Sequence, residues 1–284
     1  MVADLLPEDK RAEGYGILSV AANLAWLVGP TVGGFLADRS SFVLFVLDAA
    51  ISLVTAGIVY FFLPETYTKH STQTQGKGPL HTLGGYGRVA SDGAFVAFCA
   101  ASLLLWGAYQ QVYTSLAVFL RDFRGVSAQG YGLLVTINAM IVVFLQMWLT
   151  SKIRSRPPAL MMAVGALIYC FGLGAFGWPV PFSVMVGIMI LVTVGEMIVA
   201  PVSQALVALL APEEMRGRYA AFFGLAVTVP AIIGPWAGGL LMDGSNPDWL
   251  WFASGLVCAA AALSFFALHL TSHGRLGAPP APTA

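Results

Sequence analysis

One acidic residue, Glu196, lies near the middle of a long apolar run, residues 181–209. A charge inside hydrocarbon is costly, and such residues usually face a cavity or a partner. Helical spacing places Thr193 and Ser203 on the same face as Glu196. The carboxyl is therefore either a proton-responsive group or the donor of a structural hydrogen bond. Asp48, about two turns into another apolar run, is the second proton-coupling candidate, with helix packing as its alternative.

A second candidate site combines aromatic rings with amide and hydroxyl groups in residues 106–114. Four of these side chains share one helical face, a combination that suits a substrate cavity. Gln111 points away from that face and is retained as a weaker candidate, while Asn138 either lines the same cavity or bridges helices. The candidate cavity residues are Trp106, Gln110, Gln111, Tyr113, Thr114 and Asn138.

Other chemistries find no support in the sequence. The four histidines and three cysteines show no metal-ligand spacing, so we expect no metal site. No glycine-rich phosphate loop ends in Lys-Ser/Thr, and no Ser/His/Asp set falls on one predicted face. With 14 acidic and 14 basic residues the chain has no basic face for nucleic acid. We therefore expect neither an enzyme nor a bound cofactor.

The elements that carry these residues must lie in lipid. Only 10% of the 284 residues are charged, 58% are hydrophobic, and the mean hydropathy is +0.79. A soluble domain carries roughly 25% charged residues, and a bilayer-spanning helix needs about 20 apolar residues. These properties predict an all-α integral membrane protein with eight transmembrane helices. The predicted spans, one to eight, are 14–36, 41–63, 93–120, 127–150, 158–178, 181–209, 217–241 and 249–270.

Loop charges predict the orientation of these spans. If the loops are assigned alternately to two sides, eleven Lys and Arg residues lie on the side of Met1 and three on the other side. Basic residues favour the cytoplasmic side. We expect a multi-pass protein of the cell membrane with both termini in the cytoplasm.

An internal repeat relates the first span to the seventh. A shift of 205 residues aligns 3–38 with 208–243 without a gap, and twelve of the 36 positions are identical. The shared pattern is Pro-Glu-x-x-Arg followed by Gly-Pro-x-x-Gly-Gly. The repeating unit then holds six spans, which makes the first span the fifth of its unit. We therefore expect four preceding helices, absent here, to be needed for normal function.

The domain organisation follows from this repeat. Residues 1–63 are expected to hold the last two helices of an N-terminal six-helix half. The polar segment 64–92, rich in glycine, serine, threonine and glutamine, is expected to be a cytoplasmic linker. Residues 93–271 would form a complete C-terminal half, and 272–284 a cytoplasmic tail.

The motif residues resemble those of major facilitator transporters, which contain two six-helix halves. Gly16 and the run 29–34 resemble the antiporter motif on that superfamily's fifth helix, with Ala25 replacing one glycine, and 234–239 repeats the motif where the eleventh helix would be. The motif candidates are Gly16, Gly29, Pro30, Gly33, Gly34, Gly234, Pro235, Gly238 and Gly239. The resemblance implies a bend and close helix contact that seal one side of the pathway; static packing is the alternative.

The resemblance implies a major facilitator fold lacking its first four helices, and a secondary transporter working by alternating access. The expected partners are the lipid bilayer, a small-molecule substrate and protons. Proton-coupled efflux of small organic or drug-like molecules is the leading interpretation. An uptake permease for a sugar or organic acid is the first alternative, and a non-transporting scaffold or sensor of the same fold is the second.

Overall fold

The computed structural model describes residues 25, 28–29, 32–36, 39–62, 86–153, 155–212 and 215–271. Within these residues, seven helices are long and apolar enough to cross a membrane. They coincide with spans two to eight, so the prediction of an all-α membrane protein is confirmed. The first predicted span lies largely outside the described residues.

Eight helices carry the described fold. Their bounds are α1, Ser41–Phe62; α2, Gly93–Thr114; α3, Leu116–Arg124; α4, Ala128–Ile153; α5, Pro158–Ala175; α6, Phe182–Leu210; α7, Arg216–Met242; and α8, Trp249–Thr271. The sequence of span three predicts one continuous helix over 93–120, but the structure divides it at Ser115 into α2 and α3.

The chain forms two compact units. One comprises Met1–Gly78 and Ser127–Met140, and the other comprises Pro79–Val126 and Ile141–Ala284. The boundary between Met140 and Ile141 falls within α4. In the second unit, α8 packs against both α2 and α5, α5 also packs against α6, and α2 against α7.

The core of the second unit consists of aromatic and aliphatic side chains from these helix pairs. Phe95 and Trp251 are fully buried. Phe98 of α2 stacks on Phe223 of α7, with ring centroids 5.4 Å apart. Since lipid is as apolar as these side chains, close packing rather than exclusion from water holds the helices together.

The short helix α3 ends at Gly125, which has φ of +65°. That left-handed conformation favours glycine, and it lets the Val126 amide donate back to the Leu120 carbonyl at 2.9 Å. The chain thereby turns sharply before α4.

Candidate functional site

Glu196 is half-buried near the middle of α6, within electrostatic range of aromatic residues on two other helices. The preceding residue, Gly195, is so close to Tyr169 of α5 that an added Cβ would lie 2.9 Å from the ring. The Glu196 carboxyl interacts electrostatically with Tyr169 and with Tyr109 of α2. The structure therefore places the carboxyl within electrostatic range of two tyrosines that are not among the candidate residues of the sequence.

The tyrosines form an array that leads from Glu196 along α2. Tyr109 stacks on Tyr169 at 4.9 Å and meets the rings of Trp106 and Tyr113 edge to face, at 5.7 and 5.6 Å. The Tyr109 and Tyr113 hydroxyls are 3.0 Å apart and share a hydrogen bond. Spacing within α2 could have identified Tyr109, which lies one turn from both partners, whereas no pattern in the sequence indicates Tyr169.

Two polar atoms of this array have no hydrogen-bond partner among the described residues. They are the indole nitrogen of Trp106 and the hydroxyl of Tyr169, and both atoms are buried. An unpaired buried polar group is destabilising, and functional sites are one place where such groups occur.

The predicted cavity face of α2 is half-exposed. Trp106, Gln110, Tyr113 and Thr114 all have intermediate accessibility. Gln111, one residue from Gln110, is turned about 100° around the helix and is only 5% exposed. The structure thus groups Trp106 and Tyr113 around Tyr109, and it places Gln111 on another surface.

A cavity of about 250 Å³ lies on that other surface of α2, between α7 and α8. Its walls are almost entirely apolar, with Gln111 and Ser254 among the few polar side chains. Of the predicted cavity residues in this unit, only Gln111 contributes to it, so this apolar cavity and the polar face near Glu196 are distinct.

The remaining polar side chains lie in α1 and α4. Asn138 is buried in α4, and Asp48 is exposed in α1. Gln146 donates to the Met197 carbonyl at 3.0 Å and to Thr150 at 2.9 Å. It bridges α4 to α6.

The hydroxyls that share the Glu196 face bond to their own helix. Thr193 donates to the Met189 carbonyl at 2.7 Å, and Ser203 donates to the Ala200 carbonyl at 2.9 Å. Both residues are buried, and the hydrogen-bonding capacity of their hydroxyl donors is used within α6.

The two copies of the glycine motif use different glycines for close packing. In the first copy, a Cβ added at Gly34 would meet the Ala128 carbonyl oxygen at 2.6 Å, while Gly33 has nothing within 4 Å among the described residues. In the second copy the tight position is Gly238, which meets Ser115 and Gln111.

The remaining motif positions are less constrained. Gly239 and Gly29 likewise have nothing within 4 Å in the part of the chain that the structure describes. Gly234 is buried, and Pro235 lies inside α7. Gly16 and Pro30 lie outside the described residues.

A part-buried ion pair joins three segments of the second unit. Arg124, at the end of α3, donates to the Asp248 carboxylate at 2.6 Å and to the Gly177 carbonyl at 3.2 Å. Its guanidinium also lies 4.7 Å above the Phe119 ring. No pattern in the sequence indicates this contact, because the two charges are far apart in the chain and belong to predicted loops.

The nearby Arg121–Asp122 pair is different in character. Hydrogen bonding from Arg121 holds the pKa of the Asp122 carboxyl below its ordinary value. Both side chains are well exposed, at 66% and 42%, so solvent screens their attraction.

Curated relatives of this sequence are membrane transporters. The chain is 29% identical over 248 residues to an uncharacterized MFS-type transporter, YttB, of Bacillus subtilis (strain 168), covering 86% of this chain and 60% of that protein. It is 26% identical over 277 residues to a Na(+), Li(+), K(+)/H(+) antiporter of Planococcus maritimus, covering 90% and 63%. The chain thus spans about 60% of the length of these relatives.

The fold is also found among solved structures. The crystal structure of peptide transporter POT in complex with sulfate matches with a TM-score of 0.64 at 16% identity, covering 97% of this chain and 71% of that chain. A sequence model described as Major Facilitator Superfamily matches residues 1–235 and 194–283. On these matches, which together cover nearly the whole sequence, the chain belongs to the Major Facilitator Superfamily.

Proposed function

We propose that the whole protein is a proton-coupled antiporter that exports small organic molecules by alternating access, with Glu196 as its proton-responsive group. The observation that carries this proposal is the position of a half-buried carboxyl in the middle of a membrane helix, within electrostatic range of Tyr109 and Tyr169. A carboxyl in such surroundings can alternate between a neutral form that donates a hydrogen bond and a charged form that favours a wetted cavity.

The half-exposed face of α2 supplies the proposed cargo contacts. Trp106 and Tyr113 offer flat apolar surfaces, while Gln110 and Thr114 offer hydrogen-bonding groups. Binding of protons and of cargo to neighbouring groups would let each bias the same conformational equilibrium. The name of the Planococcus relative favours antiport as the mode of coupling, and it makes an alkali cation the rival cargo.

The two other functions predict different proton movements. An uptake permease for a sugar or organic acid would move protons in the same direction as its cargo. A non-transporting scaffold or sensor would move none, and it would tolerate Glu196→Ala. One measurement of proton movement therefore distinguishes both alternatives from antiport.

The test uses inverted membrane vesicles from cells that express the complete gene. Respiration acidifies the vesicle lumen, and a pH-sensitive dye reports the gradient when ethidium, NaCl or KCl is added. We expect ethidium to dissipate the gradient, because protons leave as cargo enters. A response to NaCl or KCl alone would assign the protein to alkali-cation antiport, and no response to any probe would contradict antiport.

Glu196→Gln tests the residue assignment, since it keeps the shape of the neutral acid but removes its titration. This variant should bind ethidium normally but lose the pH dependence of transport. Asp48→Asn is the matched variant and should leave the pH profile intact. An unchanged profile in Glu196→Gln would reduce Glu196 to a structural role.

A further inference from the structure

Helices α2 and α7 pack side by side in a regular parallel register. An added Cβ at Gly107 of α2 would lie 3.8 Å from the Pro230 Cβ of α7. One turn further along, Gln111 contacts Gly234, and after another turn Ser115 contacts Gly238. The same offset of 123 residues relates all three pairs, so the second copy of the glycine motif faces one straight edge of α2.

Gln111 makes the central contact of this edge. Its Nε2 donates to the Gly234 carbonyl at 3.1 Å, and its Oε1 accepts from the Ser115 hydroxyl at 2.5 Å. Gln111 is 5% exposed and Ser115 is 1% exposed. Buried hydrogen bonds of this kind are costly to break, because each separated group would remain unpaired away from water.

Gly238 makes room for this polar pair. An added Cβ there would fall within 2.5 Å of Gln111 Oε1 and closer still to Ser115 Oγ, a range that side-chain carbons do not occupy. The space beside Gly238 is therefore occupied by the side chains of Gln111 and Ser115.

A second set of contacts fixes the same two helices near their N-terminal ends. The Tyr219 hydroxyl of α7 donates to the Asp92 carboxylate at 3.1 Å, and the Tyr219 ring lies 4.4 Å from that of Phe95. Asp92 also caps α2 by accepting from the Phe95 amide at 3.3 Å. From Asp92 to Gln111 the helix rises about 28 Å, so contacts at both ends oppose rotation and sliding.

We propose that Gln111 and Ser115 are positioning residues that hold α2 and α7 together as one rigid body, making the second copy of the motif a static joint. The resemblance implies a bend and a seal at this position, with static packing as the alternative, and the contacts favour static packing. By fixing the rotation of α2, the joint keeps Trp106 and Tyr113 in place around Tyr109 while other contacts change. This inference concerns which helices move, and it does not depend on the cargo.

The decisive experiment is a disulfide between α2 and α7. The Gly107–Pro230 distance of 3.8 Å equals the usual Cβ–Cβ separation in a disulfide, so Gly107→Cys with Pro230→Cys should cross-link without distortion. Cys99, Cys170 and Cys258 are first replaced by Ala. Cross-linking uses an added oxidant at one alkaline pH, because the thiolate is the species that reacts. We expect cross-linking in membranes to be equally complete with and without ethidium, and the oxidised protein to transport ethidium.

Loss of transport on oxidation, with recovery on reduction, would contradict the static joint and favour the sealing role that the resemblance implies. A cross-linking yield that depends on ethidium would also contradict the joint, and this readout remains valid if no transport is found. Ser115→Cys with Gly239→Cys is the matched negative control, because Gly239 has no described neighbour within 4 Å and should not cross-link.

Gln111→Met supplies the second measurement. Methionine has a similar length but loses both hydrogen bonds of the amide, of which only the bond to Gly234 joins the two helices. We expect the maximal rate to fall roughly fivefold, the equivalent of that one bond between the helices. The oxidised Gly107–Pro230 pair should restore that rate. Gln110→Met, on the half-exposed face, should instead raise the KM and gain nothing from oxidation. Failure of the disulfide to rescue Gln111→Met would contradict a positioning role.

Discussion

At the scale of single residues, the sequence identified Glu196 as a candidate, but it did not show which residues lie around it. Glu196 was conspicuous because it interrupts an apolar run, and the angular offset between Gln110 and Gln111 correctly separated their surfaces. Tyr169 was not predicted, because no periodicity within α5 shows which helix it contacts. Its role depends on Gly195, whose missing side chain admits the ring.

The Tyr169 hydroxyl allows stability and function to be separated. Because it is buried without a described partner, its removal in Tyr169→Phe should leave the Tm of the purified protein unchanged or slightly higher. Tyr109→Phe breaks the hydroxyl pair with Tyr113 and should cost about 1 kcal/mol. Thermal unfolding in detergent provides both values. A marked loss of stability in Tyr169→Phe would show that the hydroxyl has a structural partner, and a shifted pH profile at constant Tm would connect it to Glu196.

At the scale of elements, hydropathy predicted the helices well and their interruptions poorly. Six of the seven observed membrane helices begin and end within a few residues of their predicted spans. The break at Ser115 was missed, because no proline or glycine marks this position in the sequence. The repeat located the motif glycines, but sequence identity could not show that Gly34 and Gly238, which do not align with each other, are the tight positions.

Alanine at these glycines tests the difference between the two copies. Gly238→Ala introduces a Cβ into the Gln111–Ser115 pair and should destabilise the protein by about 1–3 kcal/mol, whereas Gly239→Ala should have little effect. In the first copy, Gly34→Ala meets a backbone carbonyl that cannot rotate away, and Gly33→Ala meets no described neighbour. Thermal unfolding of the four variants is the measurement. Equal effects within either pair would mean that general helix packing, and not one close contact, determines the need for glycine.

The ion pair between Arg124 and Asp248 predicts a second contrast between elements. Arg124→Ala removes the partner of a carboxylate that is only 22% exposed, and it should destabilise the protein by about 1–3 kcal/mol. The exposed Asp122 provides the control, since Asp122→Ala should leave the Tm unchanged. High salt should weaken the contribution of Arg124 only slightly, because the pair is partly shielded from solvent. Equal Tm values for both variants would show that the contact between α3 and the start of α8 does not contribute to stability.

At the scale of the whole molecule, composition alone identified a membrane protein, because so few charged residues cannot cover a soluble surface. The six-span periodicity came from one repeated motif, and the family match is consistent with it. The orientation of the chain in the membrane cannot be read from composition or from the repeat. Helix packing is the same whichever way the bundle faces, so only the distribution of loop charge predicts the orientation. The assignment of sides therefore remains a prediction that membrane labelling must decide.

The linker, residues 64–92, gives the most direct test of orientation, because it is the longest polar segment between predicted spans. With eleven basic residues on its side against three on the other, the positive-inside rule places it in the cytoplasm. A cysteine at Ser71, in a background lacking Cys99, Cys170 and Cys258, should react with a membrane-impermeant maleimide only in inverted vesicles.

A cysteine at Ser245, between α7 and α8, should react in intact cells, because one further membrane crossing separates it from the cytoplasmic side of α7. Since the two positions are expected on opposite faces, each serves as the control for the other. Labelling of Ser71→Cys from outside intact cells would reverse the orientation, and the Arg124–Asp248 contact would then lie on the cytoplasmic face.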